Sequence, residues 1–334
     1  MFFPICRLTG HAADVTRARI SPDMSTIASA SADKSVFVWD STTGRAVRSL
    51  EDHSAEVADI CYHGSGSGIF TACLDGKARL FDLRSRASVA CAIFKASEGD
   101  ELSCLAGGNS VNSPVLLAGS TGGNINFFDI RSRTLAVTTF GHYNAVCSLD
   151  VSRNDSMATS SSLDGTIRIW SVARGDCLLT VNEKTSCPSP CVNAGFTFDG
   201  QGVIGIFLNS SLRRWNFKDR INSEIKFTGP KITSSTKTFT HIDEKGGIAV
   251  PSEDGSVYFI NSNTGRSVQE PFKAHSDDIL SVECRGDLMV SSGAGEDSSV
   301  VIWSRTLADE PAVYQSEDYS VSFHLVSPQI EGLI

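Results

Sequence analysis

Three residue types that together can form a hydrolase triad recur at fixed spacing in this sequence. The two complete sets are His11, Ser29 and Asp33, and His142, Ser160 and Asp164. In both sets the Ser follows the His by 18 residues and the Asp follows the Ser by four. A serine beside a histidine that a carboxylate orients is the arrangement used in acyl transfer. A catalytic triad normally occurs once in a fold, so the repetition favours a structural role.

Other catalytic and metal-binding motifs are weak or missing. The stretch "GSGSG" (Gly64–Gly68) has glycine where the nucleophile of a G-x-S-x-G elbow stands, and neither a P-loop nor a dinucleotide-binding glycine motif is present. "CPSPC" (Cys187–Cys191) offers two thiolates, but no second Cys or His pair with zinc-ligand spacing lies near it. We therefore predict no catalytic residues, no cofactor and no metal site.

Two further patterns allow both a binding and a structural interpretation. Phe127 and Phe128 could form a stacking platform, but the repeat described below places Phe128 at a core aromatic position, which favours packing. The "RSR" runs at 84–86 and 131–133 each follow an Asp-containing strand end. They are typical of exposed turns, and a phosphate or acidic-partner site is the alternative.

The elements that carry these residues repeat seven times. Their strand-end residues lie 42, 47, 42, 45, 45 and 43 residues apart, namely Trp39, Phe81, Phe128, Trp170, Trp215, Ile260 and Trp303. Within a unit, four short strands such as "DVTRARI", "TIASAS", "SVFVW" and "AVRSL" are separated by turns, without a helical period. This period predicts an all-β fold, a seven-bladed β-propeller of four-stranded blades.

The two ends of the chain suggest how the ring closes. Unit seven stops near Trp303 without a clear fourth strand, and "PICRLTG" precedes the first Gly-His just as "AVRSLED" precedes His53. We expect the N-terminal strand to complete the last blade, which leaves no free sheet edge. The propeller then covers residues 1–306, and residues 307–334 form a C-terminal extension in which Tyr319–Ser327 could add a strand.

Composition narrows the class of partner. The chain has 334 residues, 41% hydrophobic residues, a formal net charge of −9 and a pI of about 5.3. An acidic protein should not bind bare nucleic acid through a general basic surface, but it can hold a basic peptide. Neither a secretory signal nor an apolar run long enough for a bilayer is present. Most of the ten cysteines lie on predicted strands, which suits a reducing compartment, nucleus or cytosol.

The Gly10-His11 and Trp39-Asp40 pairs, with their counterparts along residues 7–304, resemble the WD-repeat family. The resemblance implies that a His, a Ser or Thr, an Asp and a Trp hydrogen-bond in series within a blade. Units one and four supply His11, Ser29, Asp33 and Trp39, and His142, Ser160, Asp164 and Trp170. Unit two supplies His53, Thr71, Asp75 and Phe81, and unit seven supplies His275, Asp297 and Trp303 with Gly293 at the hydroxyl position. Units three, five and six lack the His.

A propeller gathers the residues that precede its inner strands around one mouth of the central channel. In five units these residues are Asp14, Glu56, Glu101, Ala145 and Asp278. Four of the five are acidic, and gathered like charges focus an electric field. The pattern predicts an acidic rim that attracts a basic peptide, with ordinary surface solvation as the alternative.

The later units are similar to the WD-repeat scaffold subunit of COMPASS-type histone H3 methyltransferase complexes. The similar stretches include "SEDGSVYFINSNTGRSV" and "SSGAGEDSSVVIW", whose turn has one extra residue there too. The resemblance implies a non-catalytic nuclear scaffold that holds a SET-domain methyltransferase and other subunits. It also implies a central pocket for an arginine, lined here by Thr16, Ala32, Ala58, Leu74, Cys147, Leu163, Asn193 and Leu280. The two phenylalanines that clamp the guanidinium in that family correspond to Ser103 and Thr238, which speaks against capture in that form.

A second functional class stays open. Units two to four, with "DLRSR" and "FDIRSR", also resemble spliceosomal WD-repeat proteins, and an adaptor of a ubiquitin ligase is a related alternative. In each case we expect a monomeric propeller within a hetero-complex, without direct contact with nucleic acid or membrane. We expect a nuclear location, with the cytoplasm as the alternative.

Overall fold

The computed structural model describes residues 2–64, 66–108, 113–181, 189–217, 222–226, 229–233, 239–241 and 246–305. These residues form strands, turns and loops, and no helix occurs in these ranges. None of the described segments is therefore a helix able to span a membrane. The predicted extension at 307–334, including Tyr319–Ser327, lies outside the described residues.

Seven four-stranded antiparallel sheets form a closed seven-bladed propeller, so the predicted fold is confirmed. Blade 1 contains β2 (Arg17–Ile20), β3 (Thr26–Ala30), β4 (Val36–Asp40) and β5 (Ala46–Leu50). Blade 2 contains β6 (Val57–His63), β7 (Gly68–Cys73), β8 (Lys77–Asp82) and β9 (Ala92–Lys95). Blade 3 contains β10 (Leu102–Gly107), β11 (Val115–Ser120), β12 (Asn124–Asp129) and β13 (Thr134–Phe140).

The remaining blades follow the same order, from the innermost to the outermost strand. Blade 4 contains β14 (Val146–Val151), β15 (Met157–Ser162), β16 (Ile167–Ser171) and β17 (Cys177–Val181). Blade 5 contains β18 (Cys191–Phe196), β19 (Gly202–Phe207), β20 (Ser211–Asn216) and β21 (Asn222–Lys226). Blade 6 contains β22 (Thr240–His241), β23 (Gly247–Pro251), β24 (Ser256–Asn261) and β25 (Ser267–Lys273). Blade 7 contains β26 (Ile279–Arg285), β27 (Leu288–Gly293), β28 (Val300–Ser304) and β1 (Phe3–Leu8).

Short polar sequences make the turns between the two outer strands. In "DSTTG" the Asp40 carboxylate accepts hydrogen bonds from the Thr42 and Thr43 N–H groups, at 3.0 and 2.7 Å. Gly44 ends this turn at φ +67°, a conformation that an L side chain resists. The same turn recurs at Gly175 and Gly265, at φ 72° and 71°. Local turn chemistry therefore fixes where each outer strand starts.

Apolar side chains fill the wedges between neighbouring blades. The cluster between blades 7 and 1, for example, joins Val290 and Ile302 to Ala18, Ile27 and Trp39. The strand-end residue of each unit is buried in this way, from 0% exposed at Trp170 to 5% at Trp303, except for Trp215, which is half-buried. Each blade thus contributes to two cores, and the ring has no single centre of packing.

Polar side chains tie each inner strand to the next blade. The inner edge of these strands has no neighbouring strand, so its N–H groups need other partners. Six of them bond to side chains of the preceding blade: Ala18 to Ser281 (3.0 Å), Ile20 to Glu283 (2.7 Å), Leu105 to Asp59 (2.9 Å), Ala194 to Ser148 (2.8 Å), Phe196 to Asp150 (2.8 Å) and Cys284 to Thr240 (3.2 Å). These bonds link consecutive blades around the channel.

The N-terminal strand closes the ring as predicted. β1 pairs antiparallel with β28, with Leu8 opposite Val300 and Cys6 opposite Ile302. The Arg7 guanidinium donates to both carboxylate oxygens of Asp297, at 2.6 and 2.7 Å, and to the Ala274 carbonyl at 3.2 Å. The Asp297 side chain is only 7% exposed, so this ion pair holds the first strand against the last blade.

Replacing Arg7 with Ala should weaken the ring closure. The buried Asp297 carboxylate would lose its cation, which costs about 1–3 kcal/mol in the free energy of unfolding. Arg174→Ala is the matched control, because the Arg174–Asp176 pair is exposed on both sides and such pairs contribute little. Chemical denaturation of both variants measures the difference. Equal, small losses would contradict the role given to Arg7.

Candidate functional site at the channel mouth

Hydrogen-bonded chains of four side chains fix the loops at one end of the channel. In blade 1 the Trp39 indole donates to Ser29 Oγ at 2.9 Å, and Ser29 Oγ lies 2.7 Å from His11 Nε2. His11 Nδ1 lies 3.0 Å from Asp33 Oδ2, which also accepts the Ala12 N–H at 2.9 Å. Burial raises the pKa of Asp33, but the bonds from His11, Ser35 and Ala12 outweigh it and hold the pKa well below its usual range.

Blade 4 contains the same chain. Trp170 donates to Ser160 Oγ at 2.8 Å, Ser160 lies 2.7 Å from His142 Nε2, and His142 Nδ1 lies 3.0 Å from Asp164. This is the order of a hydrolase triad, but the Ser160 residue is 0% exposed and its oxygen already accepts the indole N–H. A substrate has no access to this hydroxyl. The arrangement therefore anchors the loop that contains His142.

In blade 7 the expectation that Gly293 stands at the hydroxyl position is wrong. Ser291 Oγ lies 2.9 Å from His275 Nε2 and accepts the Trp303 indole N–H at 3.0 Å. The Ser and the Trp are 12 residues apart here and 10 residues apart in blades 1 and 4, so the turn is longer by two residues rather than one. His275 Nδ1 lies 3.1 Å from Asp297, the carboxylate that Arg7 holds.

In blade 2 the expected bond between His53 and Asp75 is not formed. His53 Nε2 lies 2.9 Å from Thr71 Oγ1, but its Nδ1 has no partner among the described residues. Asp75 instead accepts from both terminal nitrogens of Arg79, at 3.1 and 2.6 Å, and from Ser54 Oγ at 2.7 Å. Arg79, a buried arginine on β8 four residues after Asp75, competes with His53 for the carboxylate. The repeat pattern alone does not reveal this competition. Phe81 completes the blade by packing, at 1% exposed.

Blade 3 replaces the missing histidine with another polar link. The Asp100 carboxylate accepts from Asn124 Nδ2, at 2.9 and 3.0 Å to its two oxygens, across the Gly122–Gly123 turn. In blade 5, Gly205 pairs with Arg213 at the position equivalent to Ser160, and the Trp215 indole N–H has no hydrogen-bond partner in the described part of the chain. Sequence reasoning missed the Asp100–Asn124 link because neither residue belongs to the repeat pattern.

His53 should make the stability depend on pH. Burial, reinforced by the nearby Arg79 charge, lowers the pKa of His53 to about 4. In the unfolded chain the imidazole has a pKa near 6.5. Between these values the unfolded state binds a proton that the folded state does not, so stability falls as the pH drops from about 6.5 to 4, by up to about 1.4 kcal/mol per pH unit.

An NMR titration of the His53 ring protons tests this directly. We expect a midpoint near 4, and we expect the free energy of unfolding of His53→Gln to fall less between pH 7 and pH 5 than that of the unaltered chain. A midpoint at 6 or above, with equal pH dependence in both proteins, would contradict the expected effect.

Seven equivalent hydrogen bonds define the mouth of the channel. In five blades, the N–H of the residue directly after the second strand donates to the carbonyl of the residue directly before the innermost strand. In blades 1 and 6 the donor stands two residues after the second strand, and the acceptors Asp14 and Lys231 lie further ahead of β2 and β22. The pairs are Ala32–Asp14, Leu74–Glu56, Thr121–Glu101, Leu163–Ala145, Leu208–Pro190, Glu253–Lys231 and Ala294–Asp278, all at 2.9–3.1 Å. We call the seven acceptor residues the mouth ring. Ala32, Leu74 and Leu163 thus lie beside the ring as donors.

The charges of the mouth ring are segregated. Asp278, Asp14, Glu56 and Glu101 come from blades 7, 1, 2 and 3, which are neighbours in the closed ring, and we call them the acidic arc. Asp14 Oδ1 accepts the Gly295 N–H of blade 7 at 2.8 Å. Burial and the neighbouring Asp14 raise the pKa of Glu56, which is the effect expected of two close carboxylates. Pro190 and Lys231 were not predicted from the sequence as ring positions. They belong to blades 5 and 6 and lie, with Ala145 of blade 4, on the side of the ring opposite the acidic arc.

Four of the residues predicted to line a central pocket follow a mouth-ring residue by two positions in the chain. Ala58, Cys147 and Leu280 are bulged: each lies between the first two residues of its innermost strand that pair with the second strand. Thr16 is the corresponding residue of blade 1 and directly follows Val15. Thr16 Oγ1 donates to the Val57 carbonyl at 2.6 Å, which links blade 1 to blade 2. Burial raises the pKa of the Cys147 thiol to about 12.

Two of the pocket assignments need correction or lie outside the structure. The bulged residue of blade 5 is Val192, and Asn193 pairs with Ile206 one position deeper, so Asn193 is offset by one residue from its expected counterparts and its place in a pocket stays a prediction. The reason is that blade 5 has no Gly-His pair to fix the alignment. Ser103 is bulged in blade 3, and its hydroxyl donates to the Val146 carbonyl of blade 4 at 2.6 Å. Thr238 lies outside the described residues.

The other motifs belong to the framework or the outer surface. Phe127 and Phe128 are 4% and 1% exposed, so they pack in the core. Arg84 pairs with Asp82 at 2.8 Å, and Arg86 lines an outer groove of about 730 Å³ between blades 1 and 2. Cys187 lies outside the described residues and Cys191 is buried in β18. In the described ranges, no disulfide forms and no group of three or more potential metal ligands is found.

Comparison with known proteins points to a repeat family. The family model "WD domain, G-beta repeat" matches residues 2–40, 44–82, 134–171 and 265–304. These four stretches end with the third strand of blades 1, 2, 4 and 7, which carries the core aromatic residue. These are the blades in which a loop histidine is bonded to a hydroxyl. Blades 3, 5 and 6, whose first three strands lie outside the matched stretches, lack the loop histidine in the sequence.

Several curated proteins are similar to the chain at low identity. A Periodic tryptophan protein 2 homolog of Dictyostelium discoideum is 26% identical over 212 residues, 63% of this chain and 22% of that protein. Autophagy-related protein 16 of Arabidopsis thaliana is 22% identical over 275 residues, 80% of this chain and 51% of that protein. Pre-mRNA-processing factor 19 of Oryza sativa subsp. japonica is 23% identical over 199 residues, 59% of this chain and 37% of that protein. The chain thus matches about half or less of each relative's length.

Proposed function

We propose that the chain is a non-catalytic protein–protein interaction scaffold whose acidic arc binds a basic segment of a partner, a proposal supported by the four stretches that match the WD repeat model. The hydrogen-bonded loops and the closed ring give such a site a rigid frame. Rigid sites bind with less loss of conformational entropy than flexible ones.

The segregation of charge at the channel mouth supports this proposal most directly. Four carboxylates from consecutive blades lie along one side of the ring, and the only cation of the ring, Lys231, lies across from them, 3.9 Å from Glu253. A cationic side chain bound at the arc would relieve the repulsion that raises the pKa of Glu56. The net charge of −9 also favours encounter with a basic partner.

The position of the basic segment is proposed at the rim rather than in an aromatic clamp. Ser103 stands where the similar scaffold family has a clamping phenylalanine, and its hydroxyl is engaged by the Val146 carbonyl. A short polar side chain cannot stack on a guanidinium as an aromatic ring does.

Charge-neutralising changes in the arc should weaken binding of a basic probe. We expect Asp14→Asn with Glu56→Gln to bind a fluorescein-labelled peptide of alternating Arg and Gly about fivefold more weakly at low salt, because two arc carboxylates are lost. Asp14→Asn keeps an oxygen for the Gly295 N–H. The difference should shrink at 0.5 M salt, where exposed charges are screened.

Asp176→Asn with Glu270→Gln is the matched control, since it changes the net charge equally at exposed outer positions. Fluorescence anisotropy measures all three proteins. If the control weakened binding as much as the arc variant, the peptide would be responding to overall charge, and the arc would not be its site.

For the assembly, we propose a nuclear COMPASS-type histone H3 methyltransferase complex, on the similarity of the later units to its WD-repeat subunit. A second candidate is an RNA-processing complex, favoured by the similarity to Pre-mRNA-processing factor 19. Affinity purification of the intact chain with mass spectrometry separates them. Recovery of a SET-domain methyltransferase is expected, whereas recovery of splicing subunits without one would overturn the first assignment in favour of the second.

A further inference from the structure

Two aromatic side chains are almost completely exposed beside the channel mouth. Phe140 is 86% exposed at the end of β13, and Tyr143 is 94% exposed in the loop before β14. They are the two most exposed of the large hydrophobic side chains in the described ranges. They flank Gly141 and His142, and His142 itself is buried. We call Phe140 and Tyr143 the aromatic corner.

The fold does not require aromatic residues at these positions. The other three blades with a loop histidine have Thr9, Glu51 and Lys273 at the position of Phe140, two residues before the histidine. The counterparts of Tyr143 are Ala12, Ser54 and Ser276. All six are small or polar, so the loop forms without an aromatic residue. Exposed aromatic side chains in a fixed position are typical of binding hot spots.

The loop that presents the aromatic corner is fixed on several sides. Tyr143 N–H donates to Asp164 at 3.1 Å, and His142 N–H donates to the Gly123 carbonyl at 3.0 Å. A Cβ on Gly141 would lie 2.5 Å from the Trp170 ring, so the backbone packs directly on the core aromatic. A partner would therefore meet a preorganised backbone and would pay little to order it.

The aromatic corner adjoins one end of the acidic arc. The Gly122–Gly123 turn lies between them: Gly123 contacts the loop through His142, and Gly122 lies close to the Asp100 carboxylate. Glu101, the last residue of the arc, accepts the N–H of Thr121 at the start of this turn, and its own side chain is exposed. Negative charge and exposed aromatic surface thus meet at blades 3 and 4.

We propose that the aromatic corner and Glu101 together bind a partner segment in which a basic residue stands next to a large apolar residue. The basic side chain pairs with the carboxylates, as charge complementarity favours. The apolar neighbour covers aromatic surface that is otherwise in water. This proposal rests on the proposed function, since it names the sequence class that the acidic arc selects.

The test compares two labelled peptides on the intact chain: the alternating Arg-Gly peptide and an Arg-Leu peptide of the same length. The wild-type protein should bind the Arg-Leu peptide about tenfold more tightly. Phe140→Thr with Tyr143→Ser should remove this preference and leave Arg-Gly binding within about twofold. These substitutions introduce residues that blades 1, 2 and 7 already carry, so the fold should be retained, which thermal unfolding checks.

Val47→Thr with Val268→Thr is the control, because both valines are exposed on outer strands. It should leave the preference for the Arg-Leu peptide intact. The proposal is overturned if the wild type shows no preference, or if the preference survives the loss of both aromatic residues. That result is distinct from failure of the acidic arc, which would appear as unchanged Arg-Gly binding after the Asp14 and Glu56 changes.

Discussion

The unpaired inner edge of seven strands is the constraint on which the structure depends. A backbone N–H that faces the channel without a partner costs free energy comparable to a lost hydrogen bond. In six bonds of this chain the acceptor comes from the preceding blade, supplied by Ser281, Glu283, Asp59, Ser148, Asp150 and Thr240. Asp59 and Asp150 also accept the N–H of the next residue in their own strand. Because donor and acceptor belong to different blades in those six bonds, satisfying the edge there also sets the spacing between blades. The channel is consequently a bonded ring rather than a gap between sheets.

This ring leaves the mouth free to vary. The carbonyl of each mouth-ring residue is held by the same hydrogen bond, whatever its side chain is, as Pro190, Lys231 and Asp14 demonstrate. Backbone geometry is thus constant around the ring while charge differs from blade to blade. A scaffold built this way can change its partner through a few side chains without altering its frame, which fits the broad use of propellers as platforms.

The repeat period was sufficient to predict the blades, their order and their closure, because each unit carries its own turn and strand pattern. Alignment within a blade was less certain where the pattern is interrupted. Ser291 was not predicted as the hydroxyl residue of blade 7, because the turn after it is two residues longer than in blade 1. Val192 was not predicted as the bulged residue of blade 5, because that blade has no Gly-His pair to fix the alignment. The capture of Asp75 by Arg79, four residues away, depends on side-chain geometry. The six links from one blade to the next join residues 44 to 263 positions apart. No local pattern encodes such pairs.

The bond between Arg7 and Asp297 joins residues 290 positions apart. At typical rates of synthesis, about 5–20 residues per second, the ribosome adds the second partner roughly 15–60 s after the first. Throughout that interval β1 has no strand to pair with, and the earlier blades stand as an open arc. Pairing of β1 therefore waits until β28 has been synthesised, and a nascent chain stalled before β28 carries an unpaired first strand.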